Sequence, residues 1–374
     1  MALVVLFLTA SRPALSETRE SLGEKIFNDK SLSKDGTQSC ASCHDSQHAF
    51  TDPRKNKSSL NATLPGSVST GQDGKSFGDI NAPSATYAAF VPDFHFDKKE
   101  KLYVGGLFLN GRAKNLVEQA KQPFLNPSEM QTTEKKVVAK VKAKYSAAMK
   151  SLYGEHIFNS TKEAFTAVAK SIAAFERTEK FSSFDSKFDK VLKGKAHFTK
   201  EEELGLKLFK DEKKGNCAAC HPVPTLESSK TESLFTDFTY DNLGGPKNKR
   251  VRSLNGKGSQ FVDNGLLDNP KVKDKKLKGA FRVPSLRNVA VTAPYLHNGI
   301  FKNLETVVHF YNTRDVKGSV NPETQKPWGK AEVNIGKNVD ELGNLELSDA
   351  EVKAIVAFMK TLTDERYEHL ILKH

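Results

Sequence analysis

Two identical arrangements of cysteine and histidine use every cysteine of this 374-residue chain. In each arrangement two cysteines stand three residues apart, and a histidine directly follows the second one. This spacing is typical of covalent c-type haem attachment, in which the thiols bond to the haem vinyl groups and the histidine ligates the iron. We expect two haems, one held by Cys40, Cys43 and His44 and the other by Cys217, Cys220 and His221.

Cysteine pairs at this spacing have two other common uses. Four thiolates can hold a structural zinc ion, and the same cysteines can form disulfides. Neither use places a demand on the residue after each pair, yet histidine stands there both times. The sequence therefore favours haem over zinc and over disulfides.

The start of the chain resembles an export signal. Residues 1–16 contain an apolar stretch followed by small residues that suit cleavage, although the usual basic residues at the start are missing. We expect a signal peptide at 1–16 rather than a frayed N-terminus, and a periplasmic location, because c-type haem is attached outside the cytoplasm. No later tract reaches about 18 apolar residues, so no membrane span is predicted after signal removal.

The chain is strongly basic, with 57 lysines and arginines against 45 aspartates and glutamates and a formal charge of +12. Four ionised haem propionates would lower this charge to roughly +8. The excess is either solvated surface or a docking face for an acidic redox partner. Its lysines are scattered and no nucleic-acid-binding motif occurs, so no nucleic-acid partner is expected.

The haem strings belong to a longer duplication. The pattern Leu-Gly-x-Lys-x-Phe-x-Asp precedes each string, at residues 22–29 and 204–211. Each copy is typical of a short amphipathic helix that leads into a haem loop, and Thr199 with Glu202 predicts a capping box for the second. We predict a mostly α-helical fold of two cytochrome-c-like haem domains with long loops.

Apolar and charged stretches divide the chain further. Apolar residues at helical spacing near 137–152, 165–172 and 352–362 predict core helices, the last capped by Ser348 and Glu351. A charged run with few aliphatic residues is interpreted as a linker. The predicted division is a signal peptide at 1–16, an N-terminal haem domain at 17–180, a linker at 181–198 and a C-terminal haem domain at 199–374.

Beyond the haem strings, several segments resemble the bacterial di-haem cytochrome c peroxidase family, which includes the tryptophan-modifying MauG enzymes. These segments are residues 81–84, 110–113, 118–120, 126–130, 172–178, 281–288 and 292–299, so the resemblance covers nearly the whole chain after the signal. It implies that peroxide reacts at the N-terminal haem and that the C-terminal haem takes electrons from a small cytochrome. It also implies a calcium ion between the two domains.

The resemblance implies catalytic roles for two residues. Glu129 matches the acid–base glutamate of the family, and Gln119 matches its pocket glutamine. A carboxylate in a partly dry haem pocket can relay the proton that cleavage of hydrogen peroxide requires. Structural alternatives stay open, with Glu129 as an acid in the first turn of a helix and Gln119 as a hydrogen-bond donor.

Calcium ligands are implied in the same way. The side chain of Asn81 and the carbonyl groups of Thr292 and Pro294 match the ligand set of the family. A hard cation favours such oxygens. Asn81 could instead cap a turn before the Ala-Pro pair that follows it.

The chain departs from the family at the first haem. Many relatives carry a ligating distal histidine shortly before the Asn-x-Pro segment, but residues 69–75 contain no histidine here. His48 and His95 could substitute, although loop or surface positions are favoured for both. We therefore expect the first haem to be permanently open to peroxide.

A second departure concerns the ligand of the second haem. The family usually carries a methionine after its Pro-Tyr-x-His-x-Gly motif, and the matching residue here is Tyr311. An anionic tyrosine ligand would stabilise ferric iron and lower the reduction potential relative to a thioether. Tyr311 could instead complete the apolar face of its helix, which would leave His309 or Met359 as the ligand.

A third departure lies between the haems. The family's tryptophan is replaced by Leu109, and the only tryptophan of the chain is Trp328. Leucine cannot be oxidised, so electron transfer through an indole at this position is in doubt. Phe108 and Tyr103 are near in sequence, but the sequence does not show whether they bridge the haems.

These features predict an oxidoreductase of the cytochrome c peroxidase type. It would reduce hydrogen peroxide to water with electrons from a small periplasmic cytochrome or cupredoxin. A MauG-like oxidase of a partner protein and a non-catalytic di-haem electron carrier are the alternatives. The sequence allows a homodimer but does not predict the oligomeric state.

Overall fold

The structure, a computed structural model, describes residues 17–371. The predicted signal peptide at 1–16 lies outside the described residues. The described part is mostly α-helical, which confirms the predicted fold class at that level. Its ten α-helices are α1 (Arg19–Asn28), α2 (Cys40–Cys43), α3 (Leu116–Leu125), α4 (Glu134–Tyr153), α5 (Thr161–Phe175), α6 (Lys187–Leu192), α7 (Lys200–Lys210), α8 (Lys249–Leu254), α9 (Leu304–Thr313) and α10 (Asp349–Lys360).

Six short strands form three antiparallel pairs, and long loops connect most elements. No helix within residues 17–371 is both long and apolar enough to cross a membrane. The pairs are β1 (His95–Asp97) with β2 (Leu102–Val104), β3 (Tyr240–Asp241) with β4 (Phe281–Arg282), and β5 (Val320–Asn321) with β6 (Lys326–Pro327).

The first hydrophobic core is built by α1, α3, α4 and α5. Leu22, Ile26 and Phe27 of α1 are buried, and Leu22 and Ile26 share one face of the helix because they are four positions apart. The ring of Phe27 meets that of Phe175 on α5 edge-on, with centroids 5.3 Å apart. Cys40 packs at the margin of this core, so the core supports the first haem string.

The second core repeats this arrangement with α7, α9 and α10. Phe209 of α7 and Phe358 of α10 meet edge-on, with ring centroids 5.2 Å apart. Cys217 packs at the margin of this core, as Cys40 does in the first. Each haem string therefore follows the helix that carries the repeated Leu-Gly pattern in its own hydrophobic core.

A glycine allows the two main helices of each core to touch. A Cβ added to Gly23 of α1 would lie 1.9 Å from the Ser171 carbonyl oxygen of α5. A Cβ added to Gly205 of α7 would lie 1.9 Å from the Ala354 carbonyl oxygen of α10. Only glycine permits such an approach. The repeated Leu-Gly pattern thus encodes the same helix crossing twice.

The segment interpreted as a linker, residues 181–198, contains α6 and is anchored at several points. Phe181 is buried in the first core and Phe188 in the second. The buried Arg287 guanidinium donates to both carboxylate oxygens of Asp189, at 2.8 Å and 2.9 Å. The segment therefore packs against the rest of the chain, while the predicted domain boundaries on either side stay predictions.

Both predicted capping boxes are confirmed. The Glu202 N–H donates to the Thr199 hydroxyl at 3.2 Å, and the Thr199 N–H donates to the Glu202 carboxylate at 2.7 Å. At α10 the Glu351 N–H donates to the Ser348 hydroxyl at 3.3 Å, and the Ser348 N–H donates to the Glu351 carboxylate at 2.8 Å. These caps begin the helices α7 and α10 that form the second core.

Candidate haem sites and active centre

The same hydrogen bond holds the histidine of each haem string. Nδ1 of His44 lies 2.9 Å from the Phe50 carbonyl oxygen, and Nδ1 of His221 lies 2.7 Å from the Phe235 carbonyl oxygen. A carbonyl oxygen only accepts, so Nδ1 carries the proton and Nε2 keeps its lone pair. Burial lowers the pKa of both rings, that of His221 to about 4. A neutral imidazole ligates a metal through Nε2 when its Nδ1–H is held by a hydrogen bond, and both histidines meet this condition.

The cysteines fit haem attachment better than the two alternatives. No disulfide joins any of the four cysteines. Zinc is held by ligand atoms of cysteine, histidine, aspartate and glutamate. Within residues 17–371, only Cys220, Asp241 and Glu341 bring three such atoms within 4.8 Å of one another. The two cysteine pairs therefore do not converge on one zinc ion. Burial also raises the pKa of Cys43 to about 11 and that of Cys217 to about 12, so these cysteines are protonated thiols in the absence of a bound group.

A cavity of about 340 Å³ lies against the second haem string. Cys217, Cys220 and His221 form part of its wall. Most of the remaining wall is apolar, as expected for the pocket of a large flat cofactor. Residues of the second core that line it include Phe209, Leu286, Leu304, Val308, Ile355 and Met359.

Tyr311 of α9 contributes its side chain to this cavity. Burial is the main reason why the pKa of its phenol is raised, and no hydrogen bond to the hydroxyl is found within residues 17–371. Tyr295 lines the same cavity but donates its hydroxyl to the Val289 carbonyl oxygen at 3.0 Å. Met359 also lines the cavity, whereas His309 does not and lies 3.7 Å from Glu305.

Glu129 lies in the turn after α3, close to the first haem string. Its carboxylate accepts a hydrogen bond from the Asn126 amide at 2.5 Å. Burial raises its pKa and outweighs the opposing effects of Asn126 and Arg112. The negative charge of Glu129 also contributes to the raised pKa of both Cys40 and Cys43.

The interpretation of Glu129 as an acid in the first turn of a helix is wrong. Residues 127–130 form a turn, and the next helix begins only at Glu134, so Glu129 is not in the first turn of a helix. Gln119 is on α3 and lies one element before this turn. Gln119 and Glu129 therefore lie on two elements that follow one another along the chain, helix α3 and the turn after it.

The segment where relatives place a distal histidine packs onto the Glu129 turn. The Gln72 N–H donates to the Glu129 carbonyl oxygen at 2.8 Å. A Cβ added to Gly71 would lie 2.8 Å from the Ser128 carbonyl oxygen. This backbone contact is close, and residues 69–75 bring no imidazole to it.

The two candidate substitutes for a distal histidine are elsewhere. His48 lies in the turn after the first haem string, and its side chain is 45% exposed. His95 is exposed on β1, with Nδ1 2.8 Å from the Asp93 carbonyl oxygen. Neither belongs to the segment that packs onto Glu129. They are loop and surface residues, the interpretation that the sequence favoured.

The residues implied as calcium ligands line one side of the second cavity. Asn81, Thr292 and Pro294 all contribute to its wall. The Asn81 amide donates to the Ser67 carbonyl oxygen at 3.0 Å, which turns its nitrogen toward the backbone and leaves Oδ1 for another partner. One amide oxygen and backbone carbonyls suit calcium, although this set contains no carboxylate. The donor atoms fit the proposed ion.

Leu109 also lines the second cavity, and so does Phe108, whose ring lies 3.5 Å beneath the Arg112 guanidinium. Trp328 packs against Phe301 and Phe310 and is not part of that wall. The only indole of the chain therefore does not replace the missing tryptophan.

Comparison with known proteins identifies the family. A family model described as di-haem cytochrome c peroxidase matches residues 17–197. The methylamine utilization protein MauG of Paracoccus denitrificans is 44% identical over 368 residues, which cover 96% of this chain and 92% of that protein. The chain belongs to the di-haem cytochrome c peroxidase family. Its resemblance to that family, inferred from the sequence, is confirmed.

Peroxidases of the family show the same likeness. The cytochrome c551 peroxidase of Nitrosomonas europaea is 30% identical over 349 residues, which cover 92% of this chain and 80% of that protein. The crystal structure of the diheme peroxidase BthA from Burkholderia thailandensis matches with a TM-score of 0.83 and 30% identity, over 98% of this chain and 90% of that one. A member of the di-haem cytochrome c peroxidase family is an oxidoreductase with c-type haems.

Two cavity residues of this di-haem peroxidase family member were not assigned roles from the sequence. Nε of Arg282 and Nε2 of His297 are buried without a hydrogen-bond partner in the described chain. His297 stacks on Phe281 with ring centroids 3.8 Å apart. Buried polar atoms are normally bonded, so both fit the polar edge of a bound group such as a haem propionate. The motifs at 281–288 and 292–299 were the available signal.

Proposed function

We propose that this chain is a di-haem peroxidase that reduces hydrogen peroxide to water with electrons from a small periplasmic cytochrome or cupredoxin. The observation that carries the proposal is the duplicated geometry of His44 and His221, each with Nδ1 bonded to a carbonyl and Nε2 available to iron. Four partly buried cysteines at the same strings support covalent attachment of both haems. When bound, the haems supply the iron for peroxide binding and electron storage.

Glu129 is the proposed acid–base residue at the N-terminal site. One of its carboxylate oxygens accepts from Asn126, so the other is available to take the peroxide proton and return it to the leaving oxygen. Its raised pKa favours transfer in both directions, because a catalytic pKa works best near the operating pH. Gln119 is the proposed hydrogen-bond donor of the same pocket.

The C-terminal site is proposed to transfer electrons, with Tyr311 as the second ligand of its iron. The cavity position of Tyr311, together with a hydroxyl that makes no hydrogen bond to residues 17–371, supports this role. Ligation to ferric iron would remove the phenolic proton that burial otherwise retains. Met359 remains the alternative because it lines the same cavity.

We further propose one calcium ion at Asn81, Thr292 and Pro294, and export to the periplasm. The Asn81 N–H donates to the His297 carbonyl oxygen at 2.8 Å, so the proposed ion would strengthen a contact between distant parts of the chain. Export is supported by the signal-like residues 1–16 and by the c-type haem strings.

A second candidate function is oxidation of a partner protein. The 44% identity to a MauG protein supports it, and so does tyrosine at the position where the family usually has methionine. Leu109 weighs against it, because leucine cannot relay oxidising equivalents between the haems. A non-catalytic electron carrier is the third possibility, and it would require both irons to be six-coordinate.

The decisive experiment is stopped-flow spectroscopy of the ferric holoprotein, mixed first with hydrogen peroxide and then with reduced cytochrome c. We expect a high-spin component, immediate reaction without prior reduction, and oxidation of the cytochrome at the rate of peroxide consumption. Inertness to peroxide would identify an electron carrier. Slow turnover with cytochrome, together with a mass change in a partner protein, would identify a partner oxidase.

Covalent attachment is tested separately by haem staining after denaturing electrophoresis. Both haems should remain with the polypeptide, and the intact mass should exceed that of the processed chain by two haems. Loss of all haem on denaturation would contradict attachment at Cys40, Cys43, Cys217 and Cys220.

A further inference from the structure

A chain of aromatic rings connects the surroundings of the second cavity to the protein surface. The rings of Tyr240 and Phe94 meet edge-on with centroids 6.1 Å apart. Phe94 stacks on Tyr103 at 5.4 Å, with the planes 8° apart. Tyr103 then meets Phe96 at 5.0 Å, and Phe96 is 46% exposed. These rings form a continuous path that lies outside the two large hydrophobic cores.

The inner end of this path adjoins the wall of the second cavity. Tyr240 pairs with Arg282 across β3 and β4, and Arg282 lines the cavity. The next residue, Asp241, places a carboxylate oxygen within 4.8 Å of Cys220 Sγ. The Tyr240 hydroxyl occupies the space above Gly111, where an added Cβ would lie 2.1 Å from it. Tyr240 is therefore fixed beside the wall of the cavity.

The same end adjoins the position where relatives carry tryptophan. The Arg282 N–H donates to the Leu109 carbonyl oxygen at 2.8 Å, so the strand that pairs with Tyr240 is bonded to Leu109. Leucine cannot be oxidised, whereas a tyrosine can lose an electron. Tyr240 is thus an oxidisable residue close to the substituted position.

The outer end lies on the β1–β2 hairpin. Phe96 and Leu102 are each 46% exposed there, and the turn between the strands carries Lys98, Lys99 and Lys101. Tyr103 is only partly buried, so its phenolic proton can pass to water. Phe96 and Tyr103 are register partners and share one face of the hairpin, so the exposed Phe96 ring gives a neutral aromatic ring a surface to pack on beside Tyr103.

We propose that Tyr240 and Tyr103 carry oxidising equivalents from the interior to the β1–β2 hairpin, where a small phenol is oxidised. The two tyrosines are the oxidisable members of the path, and Phe94 connects them by ring contact. This inference rests on the proposed peroxidase function, because hydrogen peroxide supplies the oxidising equivalents.

Each passage moves one electron inward. Tyr240 gives an electron to the peroxide-oxidised protein, and Tyr103 replaces it while its phenolic proton goes to water. The Tyr240 proton stays in its hydrogen bond to the Gly105 carbonyl oxygen, at 2.5 Å. A phenol at the hairpin then gives a hydrogen atom to Tyr103 and becomes a phenoxyl radical. Two passages supply the two electrons that, with two protons, convert one hydrogen peroxide into two waters.

The test is radical trapping on the holoprotein. Peroxide is added with a nitroso spin trap and no reductant, and the adduct is located by peptide mass spectrometry. We expect an adduct at Tyr103 in the wild type, which Tyr240→Phe removes because phenylalanine keeps the ring packing but is much harder to oxidise. Tyr153→Phe is the matched control, since Tyr153 is a partly buried tyrosine of the first core that bonds to Ser171.

The outcomes separate the relay from the proposed function. Equal labelling of Tyr103 in the wild type and in Tyr240→Phe overturns the relay, as does a wild type that consumes peroxide without labelling Tyr103. A wild type that consumes no peroxide overturns the peroxidase function and, with it, the relay. Guaiacol oxidation should fall in Tyr103→Phe while cytochrome oxidation is unchanged, and an equal loss of both activities would contradict an exit at the hairpin.

Discussion

Burial changes the protonation of the candidate active residues in opposite directions. It raises the pKa of the Glu129 carboxyl and lowers the pKa of the His44 and His221 rings, because a buried group avoids its charged form. The histidines are thereby kept neutral for iron, and the glutamate is brought closer to a pKa at which it can both accept and release a proton. Burial therefore shifts the pKa of the glutamate and of the histidines in the directions that their proposed roles require.

Glu129→Gln is expected to keep both haems and to slow peroxide cleavage by roughly 100-fold, the scale of lost acid–base assistance. The wild-type rate should fall as the pH falls through the raised pKa of Glu129, because the first proton transfer needs the carboxylate. That acidic limb should be absent in the glutamine variant. Stopped-flow rates of the reaction with peroxide, measured across pH, check both statements.

Glu155→Gln is the matched control for this substitution. The Glu155 side chain is 72% exposed and pairs with Lys150 at the surface, so its removal should leave the peroxide reaction unchanged. An unchanged rate in Glu129→Gln would return Glu129 to a structural role in its turn with Asn126.

Tyr311→Met is expected to raise the reduction potential of the second haem, because a neutral thioether stabilises ferric iron less than a phenolate does. The ferric spectrum should change with it, and a cytochrome should reduce this haem more easily. Spectroelectrochemical titration measures the potential. Tyr295→Phe and Met359→Leu are controls in the same cavity and should shift it far less. A parent-like potential and spectrum in Tyr311→Met would identify Tyr311 as a packing residue.

Residues in local motifs could be assigned from the sequence, and residues that act through tertiary contacts could not. The haem strings contain their cysteines and histidine within five consecutive positions, so spacing alone predicts their chemistry. Tyr240 and Tyr103 are far apart in sequence and meet only through Phe94. Their proximity follows from the pairing of β3 with β4 and of β1 with β2. Strands of two or three residues leave only a weak signal in the sequence, so this pairing could not be predicted.

At the scale of elements, the repeated glycines control how closely paired helices approach. Gly23 and Gly205 each stand where a Cβ would collide with a backbone carbonyl of the partner helix. The sequence predicted the helices from their spacing and caps, but it did not show why glycine follows leucine in both repeats. The reason is the helix crossing, a tertiary contact.

Gly23→Ala and Gly205→Ala are each expected to destabilise the holoprotein by about 1–3 kcal/mol, the usual cost of overpacking a well-packed contact. Thermal unfolding followed by circular dichroism measures the change. Gly78→Ala is the control, because a Cβ there would lie no closer than 3.6 Å to its neighbours. Wild-type stability in both variants would mean that the helices separate without cost.

The predicted linker shows the limit of composition as a guide to elements. Its charged residues suggested a solvated connection, yet Asp189 is buried in a two-bond ion pair and Phe188 belongs to the second core. Phe181 is buried in the first core. A segment with few aliphatic residues can still be well buried, because its phenylalanine side chains make the apolar contacts.

At the scale of the whole molecule, charge decides which redox partners approach quickly. The formal charge of +12 would remain positive with all four haem propionates ionised, so the long-range field favours acidic donors. The sequence left two interpretations of this excess, a docking face or solvated surface. The kinetics of donor association distinguish them.

The second-order rate of reduction by an acidic cytochrome is expected to fall steeply with added salt. The Debye length shrinks from about 30 Å at 0.01 M to about 10 Å at 0.1 M, which screens attraction between the proteins before they touch. A basic cytochrome should show the opposite trend, because salt relieves its repulsion. The reaction with neutral hydrogen peroxide is the internal control and should not depend on salt. Stopped-flow rates across ionic strength provide the measurement, and a salt-independent rate with the acidic donor would assign the basic excess to solvated surface.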